Sequence, residues 1–131
     1  MVDRQLEHVL NTDPDEAGRR WRIDRGPDWL FVRIDASEET IDGLADRLWS
    51  LLDQHFIYRL VLEMDEVDFL PSRMMGQLIM LQKRVMQHDG ALRLCGVSPG
   101  CAEALHICRL DRALPSYRSR VDAVQGHLVG A

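Results

Sequence analysis

Cys95, Cys101, His106 and Cys108 crowd into one short part of the chain. Thiolates and imidazoles are the ligands of structural zinc, where paired cysteines usually stand two to four residues apart. No interval among these four fits that pattern. Free cysteine also serves as a small buried apolar residue. That reading is favoured: Cys95 lies in a predicted buried strand, and Cys101 and Cys108 fall at a spacing that puts them on one helix face. No metal and no cofactor is expected.

Nucleophilic catalysis has as little to build on. The chain lacks a Gly-x-Ser-x-Gly turn, a cysteine signature with a placed histidine, and a glycine-rich phosphate loop. His8, His55, His88 and His127 are scattered, and His55 and His88 fall near predicted helix C-termini, where a cation suits the helix dipole. The chain is therefore read as non-enzymatic. Arg109, Arg112, Arg118 and Arg120 make a local basic patch. Solvated surface is the preferred reading, ahead of a docking surface for an acidic partner.

The junction "DEVDFLPSRMMGQLIM" is richer. Asp68, Pro71, Ser72, Arg73, Met74, Met75 and Gly76 stand where a loop turns into a helix. Ser72 reads as the helix N-cap, its hydroxyl accepting from a backbone N–H. Met74 and Met75 do not easily both face a core, so one is expected to be partly exposed, where methionine adapts well to a binding partner.

The elements around this junction follow from periodicity. Trp21 and Ile23 alternate with polar residues as in an edge strand. Gly26-Pro27-Asp28 is a turn, and Leu30, Val32 and Ile34 share one face of a second strand. Ser37 caps a helix carrying Ile41, Leu44, Leu48 and Leu51 or Leu52. Around Val61 both strand faces are apolar, which suits a central strand. A helix from about Arg73 to His88 buries Met75, Leu78, Ile79, Val85 and Met86, and Gly90 ends it in a left-handed conformation. "ALRLCGV" is a further buried strand. Ser98 and Pro99 open a helix with Ala102, Leu105 and Cys101 inward, and a short strand and a helix from Ser119 close the chain. The order predicts a mixed, mainly parallel sheet with helices packed on it.

Length and composition agree with one globular domain. The chain has 131 residues, 46% hydrophobic and 28% charged, with a net charge of −5. An acidic surface binds neither nucleic acid nor anionic membrane well. No apolar run is long enough to cross a bilayer. The odd cysteine count and the polar N-terminus point to a reducing, cytoplasmic setting. Residues 1–18 read as a polar arm and 19–131 as the domain.

The segment "LVLEMDEVDFLPSRMMGQLIMLQKRVMQHDGALRLCGVSPGCAEALHICRLDRAL" resembles the STAS domain of anti-sigma-factor antagonists. Val67, Phe69, Leu70, Gly76, Gly90, Leu92, Leu94, Gly96, Val97, Ser98 and Pro99 match its pattern, and Glu63 replaces a strand-end Asp. The resemblance covers about residues 19 to 127 and implies a single STAS-like α/β domain. It implies regulatory partner switching with an anti-sigma factor or serine kinase, read through phosphorylation at the start of the helix. Here Pro71 replaces the motif Asp, Arg73 stands at the usual phosphate acceptor, and Met74 replaces the following Gly. Arginine accepts no phosphate, and its positive charge does not imitate one. Ser72 is the residual candidate for phosphorylation, ranked below its capping role. The expected partner-binding residues are Asp68, Pro71, Ser72, Arg73, Met74, Met75 and Gly76. A ligand-sensing or transporter-associated accessory subunit on the same fold is the alternative.

Overall fold

The computed structural model describes residues 21–126. The expected arm over residues 1–18, and His8 and His127, lie outside them. Strands β1 (Arg22–Arg25) and β2 (Leu30–Asp35) form the hairpin, closed by the Gly26 N–H donating to the Trp29 carbonyl at 2.8 Å. Then follow helices α1 (Glu38–Ile41) and α2 (Leu44–His55), strand β3 (Arg59–Glu66), and helix α3 (Ser72–Gln87). Strand β4 (Ala91–Cys95), helix α4 (Pro99–Ile107), strand β5 (Ser116–Tyr117) and helix α5 (Arg120–Gln125) complete the order. The sheet runs β1-β2-β3-β4-β5, with the first pair antiparallel and the rest parallel. This is the mixed, mainly parallel α/β architecture that the alternating pattern implies. Among the described residues no helix is long and apolar enough to cross a membrane.

Alternation along the strands builds the main core. Ile23, Val32, Leu62 and Leu94 stand side by side across four strands, and all are buried. Leu44, Leu48, Leu52, Leu78, Leu81, Val85 and Leu105 meet that face from the helices. The opposite face carries a smaller cluster of Trp29, Val61, Cys95, Tyr117 and Ala123. Central strand β3 is apolar on both faces because both are covered.

A charged clasp closes the second face. Glu63 is buried; its Oε2 accepts from Arg120 Nε at 2.7 Å, and its Oε1 lies 3.5 Å from Arg33 Nε. Arg120 Nη2 also donates to Asp24 at 3.1 Å, and its guanidinium lies 4.4 Å from the centre of the Phe31 ring. A buried carboxylate is tolerated only when paired in this way. Arg120 thus fastens α5 to β1 and β3, whereas Arg109, Arg112 and Arg118 remain exposed. The solvated reading of the arginine patch fails for Arg120.

Several local expectations change. The helix after Ser37 is broken in two by Gly43, which takes a left-handed φ of 67°. Ser37 caps the first piece, accepting from the Thr40 N–H at 3.2 Å. Ser98 caps α4 as expected, and Ser119, where the last helix was expected to begin, is instead the N-cap of α5. Ala102 is exposed, while Cys101 and Leu105 face inward. The left-handed residue ending α3 is Asp89, with φ 56°, and not Gly90. His55 ends α2 but is buried; burial first, and Arg25 second, hold its pKa below the ordinary value, so it is no helix-end cation. His88 is exposed at the α3 C-cap, its ring centre 4.6 Å from that of Trp49.

Candidate functional site

The central strand β3 delivers the candidate site to the carboxyl end of the sheet, where open α/β sheets usually present their functional loops. The loop after it is pinned from both sides. Val67 and Leu70 are buried, the Val67 N–H donates to the Met64 carbonyl at 3.0 Å, and the Cys101 thiol lies 3.5 Å from the Val67 carbonyl. Asp68 and Phe69, between these anchors, point into solvent, and Phe69 is 71% exposed.

Helix α3 then starts at Ser72, with Pro71 as its N-cap. This corrects the capping role expected of Ser72: the residue is already inside the first turn and exposed. The Pro71 carbonyl accepts from the Met74 and Met75 N–H groups, both at 3.0 Å, but no side chain caps this end. Pro71 is fixed in the extended conformation, with φ −67° and ψ 155°.

Both methionines are buried, Met74 at 0% and Met75 at 7% exposure, so neither is the exposed residue that the junction suggests. The buried stripe of α3 is Met74, Met75, Leu78, Leu81 and Val85. At roughly 100° per residue these five fall within an arc of about 120°, wide enough for a core-facing helix. Ile79 and Met86, expected in the stripe, lie at its margin: Ile79 is half-buried and Met86 is 59% exposed.

On one flank of α3 sit Arg73, Gln77 and Arg84, all turned toward the preceding helices. Arg73 Nη1 donates to Glu38 Oε1 at 2.8 Å, and this exposed contact raises the arginine's pKa further. Gln77 Oε1 accepts from the Ala45 N–H at 2.8 Å, supplying the cap that Gly43 cannot give α2. Gly76, Met80, Lys83 and Gln87 form the outward stripe, all exposed. A Cβ at Gly76 would meet nothing within 4 Å, so this part of the helix surface is flat and open.

A family model of the STAS domain matches residues 24–123. The chain belongs to the STAS domain family. Solved structures agree on the fold. An anti-sigma factor antagonist from Mycobacterium paratuberculosis is 18% identical with a TM-score of 0.68, covering 88% of this chain and 97% of that one. A STAS domain protein from Planctomyces limnophilus is 20% identical with a TM-score of 0.68, covering 81% and 96%. An RsbS variant from Moorella thermoacetica is 16% identical with a TM-score of 0.69, covering 82% and 93%. A search of curated proteins gives no match.

Within this STAS domain the structure brings the expected site residues into one junction but divides them by depth. Asp68, Ser72, Arg73 and Gly76 are exposed, Pro71 is half-buried, and Met74 and Met75 lie beneath. Phe69, not among the expected site residues, lies exposed beside them. A lone aromatic in a loop, between Asp68 and Leu70, carries no periodicity that shows which way it points.

The thiols and His106 do not assemble. Cys95 belongs to the second-face cluster, Cys101 to the main core, and His106 and Cys108 are exposed. His106 pairs instead with Asp111 at 3.0 Å, a contact that raises the histidine's pKa and lowers the carboxylate's. Burial, helped by Glu63 and Asp65, pushes the Cys95 thiol up to about 12, so it is protonated and unreactive at neutral pH. Iodoacetamide treatment of the folded protein is expected to add one group, at Cys108. Modification of Cys95 or Cys101 is expected only after denaturation. Peptide mass mapping checks this, and early labelling of Cys95 would contradict its placement.

Proposed function

We propose that this STAS domain is a non-enzymatic, cytoplasmic partner-switching module. It binds a regulatory protein of the anti-sigma-factor or serine-kinase type through the Asp68–Gly76 junction, without phosphorylation at position 73. The carrying observation is Arg73: at the acceptor position of the family pattern stands a cation tied to Glu38 at 2.8 Å. Binding is then set by partner concentration or assembly. Asp68, Pro71, Ser72, Arg73 and Gly76 form the contact surface, and Met74 and Met75 support it from beneath.

Titration calorimetry of the full chain against the anti-sigma-factor kinases of its own organism tests this reading. At least one complex with Kd in the micromolar range or tighter is expected. Arg73→Glu is expected to weaken it tenfold or more, because the new carboxylate is repelled by Glu38, which Arg73 now holds, and rearranges the contact surface. The melting temperature should hardly move, since exposed pairs contribute only about 0–1 kcal/mol. Incubation with ATP should leave the intact mass unchanged. No complex with any kinase would refute the reading, and a phosphate on Ser72 that changes the affinity would refute control by partner concentration and assembly alone.

A further inference from the structure

We propose that Phe69 is the anchor of the partner contact and enters an apolar socket on the partner rimmed by lysine or arginine. This rests on the partner-binding reading above and specifies the partner's chemistry. Single exposed apolar residues are common on protein surfaces. Phe69 differs from them in how it is held and in what surrounds it.

The ring is 71% exposed, yet its backbone is fixed between Val67 at 1% and Leu70 at 3%. The Val67 N–H and carbonyl are both engaged, at 3.0 Å and 3.5 Å. An aromatic side chain has only two torsions to immobilise, so inserting a ring presented this way costs little entropy. Such anchors are what alanine scans find at the centre of protein contacts.

The surrounding charge is acidic. Glu66 and Asp68 closely precede the ring in sequence and are exposed, and Glu38, Asp42 and Asp65 stand on the neighbouring segments at the same end of the sheet. The cations nearby are already occupied. Arg73 pairs with Glu38, and Arg33 lies 3.5 Å from Glu63 and 3.9 Å from Asp65. Among the described residues no ion pair reaches Asp42, Glu66 or Asp68. A basic rim complements this surface, whereas an acidic protein, a nucleic acid or an anionic membrane would be repelled.

The same kinase titrations, extended by stopped-flow association at several salt concentrations, test the anchor. Phe69→Ala is expected to weaken the complex roughly 30-fold, the loss typical of an interface hot spot, mainly through faster dissociation. Ile107→Ala removes an equally exposed apolar side chain (69%) at the far end of α4 and should change nothing. Glu66→Gln with Asp68→Asn should slow association and flatten its salt dependence. All three variants should melt like wild type. A wild-type complex that tolerates Phe69→Ala within threefold overturns the anchor and leaves the partner-binding reading standing. Association that quickens on neutralising Glu66 and Asp68 overturns the basic rim. If no kinase binds the wild type, the partner-binding reading fails and the anchor falls with it.

Discussion

Met74→Asp is expected to unfold this protein or to leave it close to unfolding. Met74 is fully buried and begins the α3 stripe, one turn before Leu78. The substitution removes a buried side chain worth about 1.5–3 kcal/mol. It also places a carboxylate where no described cation waits, which costs several kcal/mol more unless the group stays protonated. A total loss of at least about 4 kcal/mol set against a typical stability of about 5–15 kcal/mol leaves little margin. The sign with pH follows. The introduced carboxyl would have a folded pKa above its unfolded value of about 3.9, so the penalty is full at pH 7 and shrinks as pH falls toward about 4. Urea melts by circular dichroism at pH 7.5 and pH 4.5, beside wild type, check both parts. A midpoint at pH 7.5 equal to that of wild type would remove Met74 from the core. The consequence for function is direct: lost partner binding in this variant would report lost structure, whereas Arg73→Glu, on an exposed side chain, reports the surface.

The contrast between Met74 and its neighbours also shows what was legible in the sequence. Strands were, because period-two alternation at Leu30, Val32 and Ile34 and the double-sided run around Val61 are local consequences of burial. The caps at Ser37 and Ser98 were, because a hydroxyl and a backbone N–H three residues on suffice. Ser72 obeyed a different rule. Pro71 sits in the extended conformation and its carbonyl takes the first helical bonds, which moves the serine one place into the helix. That shift moves no side chain, but the centre of the buried stripe was read toward Ile79 and Met86, away from Met74 and Leu81. Two adjacent methionines then looked incompatible when both fit a stripe of ordinary width. The break at Gly43 was missed because Ile41 and Leu44 keep helical spacing across it, and the cap that restores α2 comes from Gln77, a residue remote in sequence. The direction of Phe69 depends on the anchoring of Val67 and Leu70, which is tertiary information. The family pattern marks the junction as a whole; only packing separates its exposed residues from its buried ones.

Gly90→Ala should be the most damaging single-methyl change among the described glycines. The reason is not the backbone conformation, since the left-handed residue of this turn is Asp89. It is space. A Cβ on Gly90 would stand 2.0 Å from the Tyr58 carbonyl oxygen and 3.0 Å from its carbon. That oxygen accepts the Ala91 N–H at 3.0 Å, the bond that starts the pairing of β4 with β3, and the Gly90 N–H itself donates to the Val85 carbonyl at 2.8 Å. The obstacle is therefore backbone held by the sheet on one side and by the helix end on the other. Making room means parting β4 from the central strand or undoing the end of α3. A cost of more than about 3 kcal/mol is expected, which at this size lowers Tm by roughly 10 °C or more. Gly76→Ala is the matched control. It lies inside α3 with nothing within 4 Å of its added methyl, so the same change should stabilise by about 0.5–1 kcal/mol and raise Tm slightly. Thermal melts of both variants decide the matter. If Gly90→Ala melts within two or three degrees of wild type, the close approach at Tyr58 is absent in solution. If Gly76→Ala is stable but binds its partner less well, the flat helix surface at that position is part of the contact.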